Sequence, residues 1–317
     1  MKVRVQAARL AEHGQPLQVE RVDLPEPGPG EVVVDIAYAG VNPADMYAAQ
    51  GLSAPSAPVP RTLGAEGAGT VEGRRVMIRG FGVGVTRDGV WATAAVVPRA
   101  ALIDIPEGVD LEAAAAMGVA GVTAWRTVTE LAQVKADDTA LVLGATGGVG
   151  SIIVSLAHSI GATVAGQTGD ADSAGWIKER GAAHVVVTDA GGLAEAAAGL
   201  RPTVVFDGLG GGYTGVAIEA LEPHGRLVLF GTSAGPQGQV PLQSLYRKGT
   251  SVLGYFGGLA SDEVIHAAVR EALEALAAGK LTVPIGKTMP LAQVNEAFDL
   301  IRRRQVRGKI VLYTPAT

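Results

Sequence analysis

Over residues 1–105 apolar and polar positions tend to alternate with a period of two, most clearly in Val3–Ala8, Leu17–Val22, Glu31–Ala39 and Ala92–Val97. Alternation of this kind predicts strands with one face buried, so this part of the chain reads as β-rich. Pro25, Pro27 and Pro29, interleaved with Gly28 and Gly30, mark a turn-rich connection between two of these strands. At Leu111 the texture changes. LEAAAAMGVAGVTAWRTVTELAQV is rich in Ala and predicts a helical stretch, interrupted at Gly118 and Gly121.

From residue 139 to 256, short apolar runs alternate with helical segments. TALVLGA, ATVAGQ, HVVVTD, TVVFDG, RLVLFG and TSVLGYFG read as strands; GSIIVSLAHSIG and DSAGWIKERG read as helices. Strands alternating with helices predict a parallel sheet joined by right-handed crossovers. The strands are almost continuously apolar, as expected of a sheet covered on both faces. Beyond Gly258, SDEVIHAAVREALEALAAGK predicts an amphipathic helix, with Ser261 as N-cap, Asp262 and Glu263 at its positive end and Gly279 as its stop. LAQVNEAFDLIRRRQ predicts a further helix and GKIVLY a closing strand.

Composition narrows the choice of function. The chain has 317 residues and no cysteine, which excludes disulfides, thiol catalysis and cysteine-ligated zinc. A formal net charge of −5, without a basic stripe, argues against a nucleic-acid partner. The start MKVRVQAARL lacks the apolar core of a signal peptide, and no run of eighteen apolar residues is free of polar interruption. The expectation is a soluble cytoplasmic protein with no membrane partner.

The strongest single motif is Gly144-Ala145-Thr146-Gly147-Gly148-Val149-Gly150, which leaves the strand TALVLGA and enters a helix. A G-x-x-G-x-x-G turn in that setting suits a dinucleotide. One glycine permits the turn, one lets backbone N–H groups approach a pyrophosphate, and one lets the helix pack on the strand. The helix N-terminus then faces the phosphates. Gly144, Thr146, Gly147, Gly148, Val149 and Gly150 are therefore candidate cofactor residues. At the end of the next strand, NAD-binding sheets usually carry an acid; here stand Gln167 and Thr168, with no acid before Asp170. The missing acid leans the expectation toward NADPH, with NADH possible, since no Arg or Lys follows closely.

Together with GVNPADMYAAQG, LGAEGAGTVEG, EAAAAMGVAGVTAW, VVFDGLGG, GRLVLFG and RGKIVLY, this motif makes nearly the whole chain resemble the medium-chain dehydrogenase/reductase superfamily, in its zinc-free quinone oxidoreductase (zeta-crystallin-like) branch. The resemblance implies an α/β fold: a Rossmann doubly wound parallel sheet domain over residues 118–257, and a β-rich GroES-like catalytic domain built from both chain ends, 1–117 and 258–317. It also implies a homodimer paired through the last strand, TSVLGYFG.

Zinc-dependent relatives carry Cys where this chain has Asn42 and His where it has Ala65, so no metal is expected. Asn42 and Asp45 match the N-x-x-D of quinone reductases, which implies that Asn42 lies near the nicotinamide ribose and the substrate; an Asx-turn before the helix is an equally available role. Tyr47 matches an aromatic near the substrate, and could instead be a packing residue. Thr123 matches a Thr beside the nicotinamide, and could instead bond back to its own helix. Expected catalytic residues are Asn42 and Tyr47, with Asp45, Tyr47 and Phe256 toward substrate. Asn42, Thr123, Gln167, Thr168, Ser173, Gly231 and Tyr255 are expected toward cofactor.

Three departures are visible. Enoyl thioester reductases carry a Tyr where this chain has Leu52-Ser53. The Lys and Tyr that hold a 2′-phosphate in quinone reductases correspond to Ser173 and Thr188. The loop and strand usual between Glu72 and Arg75 are mostly missing. The expected reaction is hydride transfer from reduced nicotinamide to a quinone or an α,β-unsaturated carbonyl. The alternatives are an enal or enone reductase without quinone activity, and a non-catalytic NADPH-binding protein.

Overall fold

A computed structural model describes residues 3–52 and 54–314; Ser53 lies outside the described residues. The chain forms two compact units. One contains residues 1–122, 260–277 and 283–317; the other contains 123–259 and 278–282.

The first unit opens with β1 (Arg4–Leu10) and β2 (Gln18–Asp23), antiparallel from Arg4 opposite Asp23 to Arg9 opposite Gln18. β3 (Glu31–Val41) buries Val32, Val34 and Ile36 and turns Val33 and Asp35 outward, as the period of two requires. Then follow α1 (Pro43–Ala49), β4 (Arg61–Thr62), β5 (Glu66–Val71), β6 (Arg74–Arg79), β7 (Ala94–Pro98) and β8 (Leu102–Asp104). β5 and β6 meet through Glu72 and Gly73 alone, at φ 51° and 77°. Two central residues at positive φ make the type I′ connection that matches strand twist, and this tight hairpin stands where the longer excursion of relatives was missing from the sequence. Trp91 is fully buried, and its Nε1–H donates to the Gly40 carbonyl at 3.2 Å. Gly64 sits beside it at φ +100°, where a Cβ would lie 2.4 Å from the Trp91 ring.

α2 (Leu111–Ala115) is capped by Asp110, whose carboxylate accepts the Ala113 N–H at 2.6 Å. The helical run then widens into a π-turn at Met117–Gly121, resumes as α3 (Val122–Arg126), and widens again at Thr127–Leu131. The interruption expected at Gly118 and Gly121 is thus a change of helical pitch rather than a break.

The second unit is a six-stranded, all-parallel sheet: β9 (Thr139–Leu143), β10 (Thr163–Thr168), β11 (His184–Val187), β12 (Val204–Asp207), β13 (Arg226–Leu229) and β14 (Ser251–Gly254). The spatial order is β11-β10-β9-β12-β13-β14, the doubly wound order whose switch point lies between β9 and β12. The connecting helices are α4 (Gly148–Ile160), α5 (Ala174–Lys178), α6 (Leu193–Ala197), α7 (Gly212–Ala220) and α8 (Leu242–Lys248). The segment GPQGQVPLQSLYRKG, which leads into β14, contains α8. None of that helix's residues is buried, so its short helical run carried no core periodicity to announce it. β14 is left at the edge with Val252 42% exposed.

The chain then re-enters the first unit as α9 (Asp262–Ala277), β15 (Ile285–Pro290), α10 (Val294–Arg302) and β16 (Lys309–Tyr313). β15 and β16 extend the earlier sheet in the order β15-β16-β3-β5-β6-β8, with β7 also on β3. The C-terminal strand therefore lies beside β3, Ile310 opposite Val41. Ile310 and Leu312 share one core with Val34, Ile36, Ile78 and Trp91. Among the described residues no helix is long and apolar enough to cross a membrane.

Candidate functional site

Two groups of candidate residues are assembled, one in each unit. In the first unit, β3 ends at Val41 and α1 begins at Pro43, a residue whose fixed φ suits a first helical position. Asn42, between them, is extended at φ −134°. Its backbone N–H donates to Asp45 Oδ2 at 2.8 Å, so the Asp45 carboxylate caps the helix start. The Asn42 side chain does other work. Its Nδ2 donates to Glu66 Oε1 at 2.6 Å, and its Oδ1 accepts from Lys309 Nζ. Lys309 also donates to Glu66 Oε1 at 3.0 Å and to the Val41 carbonyl at 3.1 Å. Glu66 Oε2 accepts the Val119 N–H, in the first π-turn, at 2.7 Å.

Asn42 and Lys309 are each 3% exposed and Glu66 is fully buried. An ammonium has three donors, and Lys309 has found three acceptors. Burying two charges is tolerable only with this degree of satisfaction. Burial pushes the Asp45 carboxyl up to about 6, and the nearby Glu66 charge acts in the same direction, against the hydrogen bond from Asn42 and the charge of Lys309. Tyr47, on α1, is 46% exposed.

In the second unit, the glycine turn leaves the carboxyl end of β9. Gly144 has φ +70°, and a Cβ on Gly150 would fall 2.3 Å from the Gly144 carbonyl oxygen. Gly147 caps α4 in an extended conformation, φ −73°, and is exposed. A Cβ there would meet nothing nearer than the Gly144 oxygen, at 3.3 Å. The three glycines thus serve a turn, an open cradle and a close helix–strand approach. A helix leaves its first N–H groups without internal acceptors, here those of Gly148 and Val149 beside the half-buried Thr146. This geometry fits a pyrophosphate.

Gln167 is 1% exposed and structurally occupied: Oε1 accepts the Gly144 N–H at 3.0 Å, and Nε2 donates to the Thr188 carbonyl at 2.6 Å. Thr168 Oγ1 accepts the Asp170 N–H at 3.1 Å, and the Ser173 hydroxyl donates to Asp170 Oδ2 at 2.6 Å. Asp170 therefore orders the loop after β10. Gly231, past the end of β13, approaches the Gly208 carbonyl so closely that a Cβ would lie 2.8 Å from that oxygen. Thr123 is half-buried, and its carbonyl accepts the Thr127 hydroxyl at 2.7 Å. The Tyr255 ring lies 5.6 Å from the Arg126 guanidinium, while Phe256 is 69% exposed. Asn42, Asp45 and Tyr47 thus cluster on one unit, and the glycine turn, Gln167, Thr168, Ser173, Gly231, Thr123, Tyr255 and Phe256 belong to the other.

Residues 28–107 match the alcohol dehydrogenase GroES-like domain family, and residues 148–278 match the zinc-binding dehydrogenase family. Quinone oxidoreductase-like protein 2 of Bos taurus is 30% identical over 325 residues, spanning 96% of this chain and 91% of its own. The chain belongs to the medium-chain dehydrogenase/reductase superfamily, in its quinone oxidoreductase-like branch. Among solved structures, this oxidoreductase is similar to an NAD-dependent alcohol dehydrogenase (TM-score 0.88, 28% identity, 97% and 99% of the two chains). It is also similar to a mycobacterial protein complexed with NADPH (TM-score 0.86, 27% identity, 98% and 99%).

Glu66 and Lys309, the charged partners of the Asn42 side chain, are residues that reading by motif left without a role. Each was in view, in LGAEGAG and RGKIVLY. The available signal was a charged residue opening an otherwise apolar strand, which must find a buried partner. Among the described residues no group of three or more His, Cys, Asp or Glu could hold a metal ion.

Proposed function

We propose that this oxidoreductase is a zinc-independent NAD(P)H-dependent reductase that passes hydride to a quinone or to the β-carbon of an α,β-unsaturated carbonyl. The observation that carries the reading is the open cradle at Gly147, closed in by Gly144 and Gly150 at the switch point of the parallel sheet. Zinc independence is supported by the absence of cysteine and by Asn42 and Ala65 at the two positions where zinc-dependent relatives carry ligands.

When bound, the reduced nicotinamide supplies the hydride. The backbone N–H groups of Gly148 and Val149, with Thr146, Gly147 and Gly150 around them, hold the pyrophosphate at the start of α4. Thr168 and Ser173 flank the adenosine ribose. Within the dinucleotide-binding unit Thr123, Gly231 and Tyr255 serve the nicotinamide half and Phe256 the substrate; within the other unit Asn42, Asp45 and Tyr47 serve the substrate. A hydrogen bond from the Tyr47 hydroxyl or the Asn42 amide stabilises the developing enolate oxygen, and water delivers the following proton. No acid occupies Gln167 or Thr168, so NADPH is favoured over NADH; no lysine or tyrosine occupies Ser173 or Thr188, so the preference is modest. The reductase works in the cytoplasm as a homodimer joined along β14.

Steady-state oxidation of NADPH with 9,10-phenanthrenequinone and with 2-hexenal tests the reading. Turnover of the quinone supports it. Turnover of the enal alone identifies an enal reductase, and turnover of neither, with NADPH still bound, identifies a binding protein.

A further inference from the structure

Asn42 carries an amide whose two ends are chemically different but similar in shape, so its polarity depends on its neighbours. Both neighbours here are unambiguous. Lys309 can only donate, so the atom it meets is Oδ1; the Glu66 carboxylate can only accept, so the atom it meets is Nδ2. The two charges sit on the strands either side of β3, Glu66 at the start of β5 and Lys309 at the start of β16. They therefore hold the amide from opposite flanks. Oδ1 is committed to the ammonium, and one Nδ2 hydrogen is committed to the carboxylate. The Asn42 amide also faces the Asp45 carboxylate, to which it is a hydrogen-bonding neighbour.

Other features add to the picture. Glu66 Oε2 is bound by the Val119 N–H, so the carboxylate cannot swing away from Asn42 without breaking that bond. A Cβ on Gly40 would fall 2.1 Å from Glu66 Oε1, and one on Gly118 3.0 Å from Oε2. Bare glycines thus let the backbone close around the carboxylate.

We infer that Lys309 and Glu66 are positioning residues of the reaction, which fix the Asn42 side-chain amide in one rotamer and one polarity, with Oδ1 turned to the ammonium and Nδ2 to the carboxylate. The inference rests on the reading of Asn42 as a residue that meets cofactor or substrate. A donor held in this way suits an acceptor ligand atom, such as the carbonyl oxygen of a quinone or enone as negative charge develops on it. Pre-organisation by buried charges means that the donor need not reorient as the charge forms.

The test is a double-mutant cycle between Asn42→Ala and the paired change Lys309→Met/Glu66→Gln, which removes both buried charges together and so avoids leaving one unpaired. The expected result is that the paired change lowers kcat for NADPH oxidation by 9,10-phenanthrenequinone about as much as Asn42→Ala does, roughly ten-fold or more, with KM little changed. In the Asn42→Ala background it should cost almost nothing further. Losses that multiply, or an unchanged kcat in the paired variant, would overturn the inference. An Asn42→Ala enzyme with wild-type kcat and KM would instead remove Asn42 from the site, and the inference with it.

A second measurement does not depend on turnover. In ¹⁵N NMR spectra of the full chain, the Asn42 side-chain amide should give one sharp, exchange-protected pair of resonances. In the paired variant it should broaden and lose protection, while backbone amides of the β5–β6 hairpin stay in place. An Asn42 amide unaffected by the paired change overturns the inference even if no substrate has been found.

Discussion

Lys309 Nζ lies 3.0 Å from Glu66 Oε1, with 3% of one side chain and none of the other exposed. The pair joins the last strand of the chain to one that begins at residue 66, with β3 between them. Removing one partner leaves a buried, uncompensated charge. Lys309→Met should therefore lower stability by ~3–5 kcal/mol, and Lys309→Met/Glu66→Gln by clearly less. Urea denaturation of the two variants checks this, and equal losses would mean that packing rather than charge dominates.

Asp45 gives a pH dependence of the opposite kind from most carboxylates. Its folded pKa is raised from an ordinary 3.8 to about 6, so the folded protein holds this proton more tightly than the unfolded chain. The associated stability is fully present below the lower value and is lost as pH rises through the upper one. At 1.36 kcal/mol per unit, the loss has an upper limit near 3 kcal/mol. Asp45→Asn keeps an oxygen that can accept the Asn42 N–H and removes the charge. The variant should unfold at a higher temperature than wild type at pH 7.5 and show a flatter profile between pH 4 and 6. Identical calorimetric profiles would reject the assignment.

Gly147→Val should fold normally and lose dinucleotide. The backbone at φ −73° accepts a β-branched residue, and the added Cβ touches only the Gly144 oxygen, at 3.3 Å. The rest of the side chain then fills the cradle offered to the pyrophosphate. Isothermal calorimetry should show NADPH affinity reduced by at least ten-fold, with the circular dichroism spectrum unchanged. Unaltered affinity would relocate the cofactor.

The ratio of kcat/KM for NADPH over NADH should exceed one and stay within about ten-fold. A charge-assisted hydrogen bond to a 2′-phosphate contributes ~1.5–3 kcal/mol. The loop after β10 offers Ser173, whose hydroxyl already donates to Asp170. A preference for NADH in steady-state assays would refute the expectation.

Val252→Pro should weaken the proposed dimer. β14 is the terminal strand of a parallel sheet, so the backbone groups on its outer side have no strand partner among the described residues, and Val252 is exposed. Pairing of two such edges about a two-fold axis would satisfy them, and proline removes a donor from that ladder. Light scattering of the wild type should give twice the 32.2 kDa of one chain, and the variant should dissociate at higher concentration. A wild-type mass of one chain rejects the dimer outright.

Much of the fold was legible because its signals are local. The unbroken apolar runs of β9, β10 and β12 announce a sheet buried on both faces, and Ser261 with Gly279 bracket α9. The glycine turn was legible for the same reason: Gly144, Gly147 and Gly150 do their work within one turn of each other. α6, α7 and α8 were not read. They are short: α6 buries only Leu193 and Ala197 and α8 buries nothing, too few apolar positions for the stripe by which a longer helix declares itself.

The sequence by itself determined the backbone chemistry of this oxidoreductase. A strand, three spaced glycines and a helix specify an anion cradle, and the absence of cysteine excludes a thiolate site, because both depend on residue type and near spacing alone. Only the tertiary structure decided what surrounds Asn42. Its partners lie 24 and 267 residues away in the chain, and no local pattern links them. β16 must first pair with β3, and β3 with β5, before an ammonium and a carboxylate can meet on either side of one amide. Burial then makes the arrangement binding, since neither charge could remain there without the other.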